Sequence, residues 1–162
     1  MKKALAIAGI LVLTITPKAS FPDHLEPKQS EIRPRSNLNH TTLSRRNLSG
    51  ADLSNADLSN ADLSGSKLIG ADLSGADMVG ANLSHADLLD ANLRSADLSN
   101  ADLSNADLYG ANLRGANLRD IDLSDANLFG ADLSNTDLSG AVLSRAILDG
   151  INLNDANLSG SD

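Results

Sequence analysis

The chain has no cysteine and no tryptophan, and aromatic residues make up only 2% of its 162 positions. Without cysteine there is no disulfide framework, no thiolate metal site and no lipoprotein anchor cysteine. The scarcity of rings excludes an ordinary core in which large and small apolar groups interlock. His24, His40 and His85 are the only histidines, and their spacing fits no metal-ligand motif. Ser is abundant but has no His and acid partner at a recognisable spacing, so nucleophilic catalysis has no candidate. No catalytic, cofactor-binding or metal-binding residue is expected, and the chain does not read as an enzyme.

The apolar content is an ordinary 41%, yet it is nearly all Leu and Ala, which calls for a core built from one repeated side-chain shape. The net charge of −8 hides a split. Residues 1–45 hold seven Lys/Arg against three Asp/Glu, while residues 46–162 hold six against eighteen Asp. The second part therefore carries about −12, which repels nucleic-acid phosphates and anionic membranes and excludes direct nucleic-acid binding.

Met1-Lys2-Lys3 followed by the apolar run Ala4 to Ile15 has the form of a secretory signal, with a run too short to span a bilayer. Residues 1–20 are read as a signal peptide cleaved near Ser20, leaving no membrane span in the mature form. The alternatives are an uncleaved anchor or a buried strand of a cytoplasmic protein. Residues 21–45 are polar, with Pro22, Pro27 and Pro34, and read as an irregular linker or N-terminal cap.

From Leu48 to Leu158 every fifth residue is Leu, with Met78 the one exception. The residue two before is usually Ala, the one before Asp or Asn, the one after Ser, and the last Gly, Asn or Asp. Period five fits neither a 3.6-residue helix nor a simple strand. In an extended stretch Ala and Leu share one face and Asp/Asn and Ser the other, while Gly or Asn suits a turn. One unit cannot bury its Leu alone, so units must coil and stack. Bulky apolar residues replace the Ser at Ile69, Leu89, Tyr109 and Phe129, spaced by twenty, and Ser44, Ser64, Ser84, Ser104, Ser124 and Ser144 keep the same spacing. Four units per coil follow.

Runs such as Ala51-Asp52-Leu53-Ser54-Asn55-Ala56-Asp57-Leu58-Ser59-Asn60 resemble the pentapeptide-repeat family, in particular exported members of cyanobacterial type. The resemblance covers roughly residues 36–162 and is weaker before Arg46. It implies an all-β fold, a right-handed quadrilateral β-helix with the central Leu stacked inside. Residues 46–162 then make about six coils of 20 residues, a rod of about 28 Å at ~4.8 Å per strand, with an interior sized for Ala and Leu.

Departures from the repeat are the candidate sites. The Ile69, Leu89, Tyr109 and Phe129 ladder stacks on a single face and is the candidate partner-binding surface; ladder stabilisation by stacking is the bland alternative. Val142, Ile147 and Ile151 fall in the last coil and are the candidate contact of a homodimer formed through the C-terminal coil. Arg94 and Arg114 share another register, with Arg119 one corner away, and read as a neutralised face. The functional expectation is a non-enzymatic exported scaffold in the periplasm or a thylakoid lumen, binding a protein partner not named by the sequence. The alternative is a cytoplasmic DNA mimic that protects a topoisomerase (gyrase), for which the acidic repeat argues and the export segment argues against.

Overall fold

The computed structural model describes residues 33–162. The expected signal peptide and residues 21–32 of the expected linker lie outside the described residues. Within them, parallel bridges join each outward Asp/Asn position to the one twenty residues on, as in Asp52 to Asp72 and Asn92 to Asn112. Four columns of such bridges run the length of the coil, beginning at Asn37, Thr42, Asn47 and Asp52. The bridges Asn37 to Asp57 and Thr42 to Asp62 show that coiling is under way before residue 46, inside the segment read as linker or cap. Leu38 and Leu43 keep the five-residue register there, and Leu43 is buried like the leucines that follow.

The unit Ala71–Gly75 shows why period five is stable. Ala71 N–H closes a turn on the Leu68 carbonyl at 2.9 Å, and Asp72 N–H donates to Ala51 in the coil below at 2.9 Å. Leu73 and Gly75 donate to Asn92 and Arg94 in the coil above, each at 2.8 Å. Ser74 N–H is the donor the backbone leaves over, and the Asp72 carboxylate two residues earlier accepts it at 3.0 Å. All five donors are satisfied, which a buried or half-buried backbone requires. The Asp/Asn position is thus an Asx-turn acceptor as well as a solubilising group.

Every fifth residue from Arg35 to Gly160 has positive φ, the requirement of the third position of a type II turn. Gly110 has a second reason to be Gly, because a Cβ there would meet the Asp90 carboxylate rising from the coil below. Gly140 stands over Asp120 in the same way.

Leu53 to Leu128 and Met78 are fully buried in one continuous stack, with the Ala positions between them. Each such Leu contributes about 1.5–3 kcal/mol of apolar burial before chain entropy opposes it. The interior is less restrictive than an Ala and Leu pattern predicts: Ile121 sits at an Ala place with 0% exposure. Thr136, also at an Ala place, is accommodated by donating to the Leu133 carbonyl at 2.7 Å. Ser66 is buried with no partner for its hydroxyl.

Two stability changes follow. Ser66→Ala is expected to raise stability by about 1 kcal/mol, since an unsatisfied buried hydroxyl is removed; chemical denaturation of the two proteins measures it. Asp102 accepts the Ser104 N–H at 2.9 Å. Asp102→Ala is expected to lower stability by about 1–2 kcal/mol and Asp102→Asn by far less, because the amide oxygen still accepts.

Candidate interaction face

Ile69, Leu89, Tyr109 and Phe129 each follow the buried Leu of the third bridge column, whose outward residues are Asn47, Lys67, Asp87, Asp107, Asn127 and Ile147. The coil repeat therefore brings them together, one above another, as their spacing predicts. Ile69, Tyr109 and Phe129 are 38%, 46% and 44% exposed, whereas Leu89 is only half-buried and does not stand clear. The Tyr109 and Phe129 rings stack with centroids 5.3 Å apart and planes 11° from parallel. That separation follows from the strand spacing, and such a pair contributes about 0.5–1.5 kcal/mol beyond its buried area. Ser49 and Asp149 occupy the same register below and above, so the apolar strip has polar ends.

The backbone under the rings is held by Asx acceptors: Tyr109 N–H donates to Asp107 at 3.1 Å and Phe129 N–H to Asn127 at 3.2 Å. Lys67 stands where the acceptor for Ile69 belongs in the repeat. Across the corner lie Gly70, Asp90, Gly110 and Gly130, and beyond them Asp72, Asn92, Asn112 and Asp132 with the exposed Arg94 and Arg114.

The candidates of the last coil share that coil but not one side of it. Val142 and Ile147 are 39% and 48% exposed but belong to different bridge columns. Ile151 points inward and packs against the core. Ile147 instead prolongs the ladder's side of the rod, a membership already encoded in its spacing of twenty from Asn127. Leu143 N–H, whose counterparts donate to a backbone carbonyl of the coil above, donates to the Asp162 carboxylate at 2.6 Å, and the Ser144 hydroxyl donates to the same group at 2.7 Å. Arg119 lies 4.0 Å from Asp137, and Arg145 makes a two-point pair with Asp125. His40 and His85 are exposed turn residues on different corners, and His24 lies outside the described residues. Among the described residues no group of His, Asp or Glu could hold a metal ion, and no helix is long and apolar enough to cross a membrane.

Mixed Asp and Asn columns do more than dilute charge. Asn92 donates to Asp72 at 2.9 Å, Asn117 to Asp97 at 3.0 Å, Asn152 to Asp132 at 3.0 Å and Asn157 to Asp137 at 3.0 Å. The Ser74 hydroxyl, its N–H and the Asn92 amide hold Asp72 below the ordinary carboxylate value, against the opposing effect of burial. Asp132 is lowered by the Ser134 hydroxyl and N–H, with help from the Arg114 charge and Asn152.

The model of the family described as pentapeptide repeats matches this chain in eight copies, over residues 36–75, 56–93, 86–125, 106–145 and 121–160 among them. The chain belongs to the pentapeptide-repeat family. The right-handed β-helix of that family accounts for the twenty-residue parallel bridges. No curated protein matches the sequence. Similar solved structures include HetL, a pentapeptide repeat protein involved in heterocyst differentiation regulation from the cyanobacterium Nostoc sp. strain PCC 7120. It is 30% identical with a TM-score of 0.47, covering 79% of this chain and 76% of that one. A pentapeptide repeat protein from the Arabidopsis thaliana thylakoid lumen is 32% identical with a TM-score of 0.34, covering 67% and 71%. QnrB1, a plasmid-mediated fluoroquinolone resistance protein, is 24% identical with a TM-score of 0.46, covering 75% and 74%. With TM-scores below 0.5, none of these structures lends its role to this pentapeptide-repeat protein.

A pH dependence follows from the lowered carboxylates. A carboxylate whose value falls on folding stabilises the fold while ionised, so its contribution is complete above the ordinary 3.8 and is lost as pH falls through the lowered value. Protonation also relieves repulsion along the acidic rod, which acts in the opposite direction. At about 1 M salt the Debye length is ~3 Å and that repulsion is muted. The denaturation midpoint at high salt is therefore expected to be level from pH 7 to about 5 and to drop below about 4.

Proposed function

We propose that this protein is a non-enzymatic, exported interaction scaffold that docks a protein through the strip formed by Ile69, Leu89, Tyr109 and Phe129. The observation that carries the reading is the pair of stacked, exposed rings on a rod whose other outward residues are almost all polar. A rigid backbone holds the rings in place, so binding orders little and loses little entropy. Among the described residues the polar side chains stand on the convex outside of the coil, which supports a binding role over catalysis. Export rests on Lys2, Lys3 and the Ala4 to Ile15 run, and the destination that fits is the periplasm or a thylakoid lumen.

The charge of about −12 on residues 46–162 favours a second reading, a DNA mimic acting on gyrase in the cytoplasm. Cell fractionation separates the two, since a processed species outside the cytoplasm is incompatible with gyrase protection. Tyr109→Ser with Phe129→Ser is expected to leave the circular dichroism spectrum unchanged and to abolish crosslinking to the partner in cells of the source. Unaltered crosslinking in a folded variant means that docking uses another face.

A further inference from the structure

The charges flanking the ladder are arranged in a way that selects an occupant. On one flank, rising along the rod, stand Lys67, Asp87, Asp107 and Asn127. On the other flank the same four levels carry Asp72, then Asp90 with Arg94, then Arg114, then Asp132. The net signs by level are therefore plus, minus, minus, neutral on the first flank and minus, neutral, plus, minus on the second. Where the first flank is charged, the second is opposite or neutral.

Two identical rods can meet face to face about a two-fold axis in only two ways, since the contact patch must complement itself. With the axis perpendicular to the rods, the copies are antiparallel and like flanks meet. Asp87 then faces the partner's Asp107 and Asp72 faces the partner's Asp132, each twice by symmetry. With the axis along the rods, the copies are parallel, every level meets its own level, and opposite flanks meet. Lys67 then faces the partner's Asp72, Asp107 faces the partner's Arg114, and Asp87 faces the partner's neutral Asp90 and Arg94 pair. The antiparallel arrangement sets acid against acid on both flanks and leaves Lys67 facing neutral Asn127 and the Asp90 and Arg94 level facing Arg114, while the parallel one collects opposite charges on both sides of the ladder.

We propose that the ladder face is the interface of a parallel, side-by-side homodimer, with Tyr109 and Phe129 of each copy packed against the same residues of the other. The proposal rests on the reading of this strip as a contact surface and names its occupant as a second copy of the chain. It is distinct from contact through the last coil, because Val142 and the inward Ile151 take no part in it. Four levels at ~4.8 Å across a side and a corner bury on the order of 300 Å2 on each copy, the size of a weak, concentration-dependent association. Ile147, exposed on the same side, extends the apolar strip by one level.

Sedimentation of the full 162-residue chain from about 5 to about 500 µM spans the range in which an interface of this size titrates. A monomer–dimer equilibrium is expected. Arg94→Asp with Arg114→Asp should weaken it at least about tenfold, because symmetry turns each lost attraction into two repulsions. Adding Asp87→Lys and Asp107→Lys should restore it, and Lys67 shows that a lysine is accommodated in that column. An antiparallel dimer would also weaken, because positions 94 and 114 face each other there, but it would show no rescue, because positions 87 and 107 likewise face each other. The chain has no native cysteine, so Ile69→Cys gives a single thiol that leaves every flanking charge in place. Oxidation should crosslink it to itself in the parallel dimer, whereas in the antiparallel one it faces Phe129. A monomer at the highest concentration, or dimerisation indifferent to the charge changes, overturns the proposal. If that monomer still loses its crosslinks to a different protein on Tyr109→Ser with Phe129→Ser, the docking reading stands and only the second copy is excluded. If the homodimer persists in that variant, the ladder is not its interface and the proposal falls, while the docking reading is decided by the crosslinks alone.

Discussion

The whole rod depends on one backbone constraint: five consecutive N–H groups must each find an acceptor while the chain turns a corner every five residues. Three of the donors are served by neighbouring coils, one by the turn and one by the Asp or Asn side chain. This division explains the composition better than solubility does. Asp and Asn are interchangeable as acceptors, which is why they alternate freely along each column. They cannot be replaced in bulk by Lys, Glu or Ser without leaving a donor in each unit unserved.

Regularity of this kind has a functional consequence. A solenoid whose units are nearly identical presents the same polar mask on every side, so recognition must come from departures in the mask. Inward departures are absorbed by the core, as with Ile121 and Thr136, and leave no trace on the surface. Outward departures are amplified, because a substitution repeated at twenty-residue spacing becomes a continuous strip. The ladder is such a strip, and the stacked rings show that its members touch. Charge works in the same manner: an Asn above an Asp is a hydrogen-bonded pair, while a Lys among Asp marks one level of one flank.

Several features were legible in the sequence because repetition makes them redundant. Twenty-odd copies of one unit specify the inward Leu, the left-handed turn residue and, through Ile69, Leu89, Tyr109 and Phe129, the number of units per coil. The Asx bond was also within reach, since Asp or Asn two residues before Ser is its signature, as in Asp97 and Ser99. Non-repeating stretches were harder. Residues 36–45 carry Arg, His and Thr in place of the consensus, so composition suggested a linker, yet their Leu register had already committed them to the coil.

What the sequence alone determined is therefore the coil, its period and which residues share a column, because each is a matter of spacing along the chain. Tertiary structure decided what each position does once stacked. It half-buried Leu89 while leaving Tyr109 and Phe129 exposed, and within the last coil it turned Val142 and Ile147 outward on different sides and Ile151 inward. It also set charges of opposite sign on the two flanks of the ladder. These outcomes depend on neighbours twenty residues away and around a corner, and a one-dimensional pattern has no measure of how far a side chain leans across that distance.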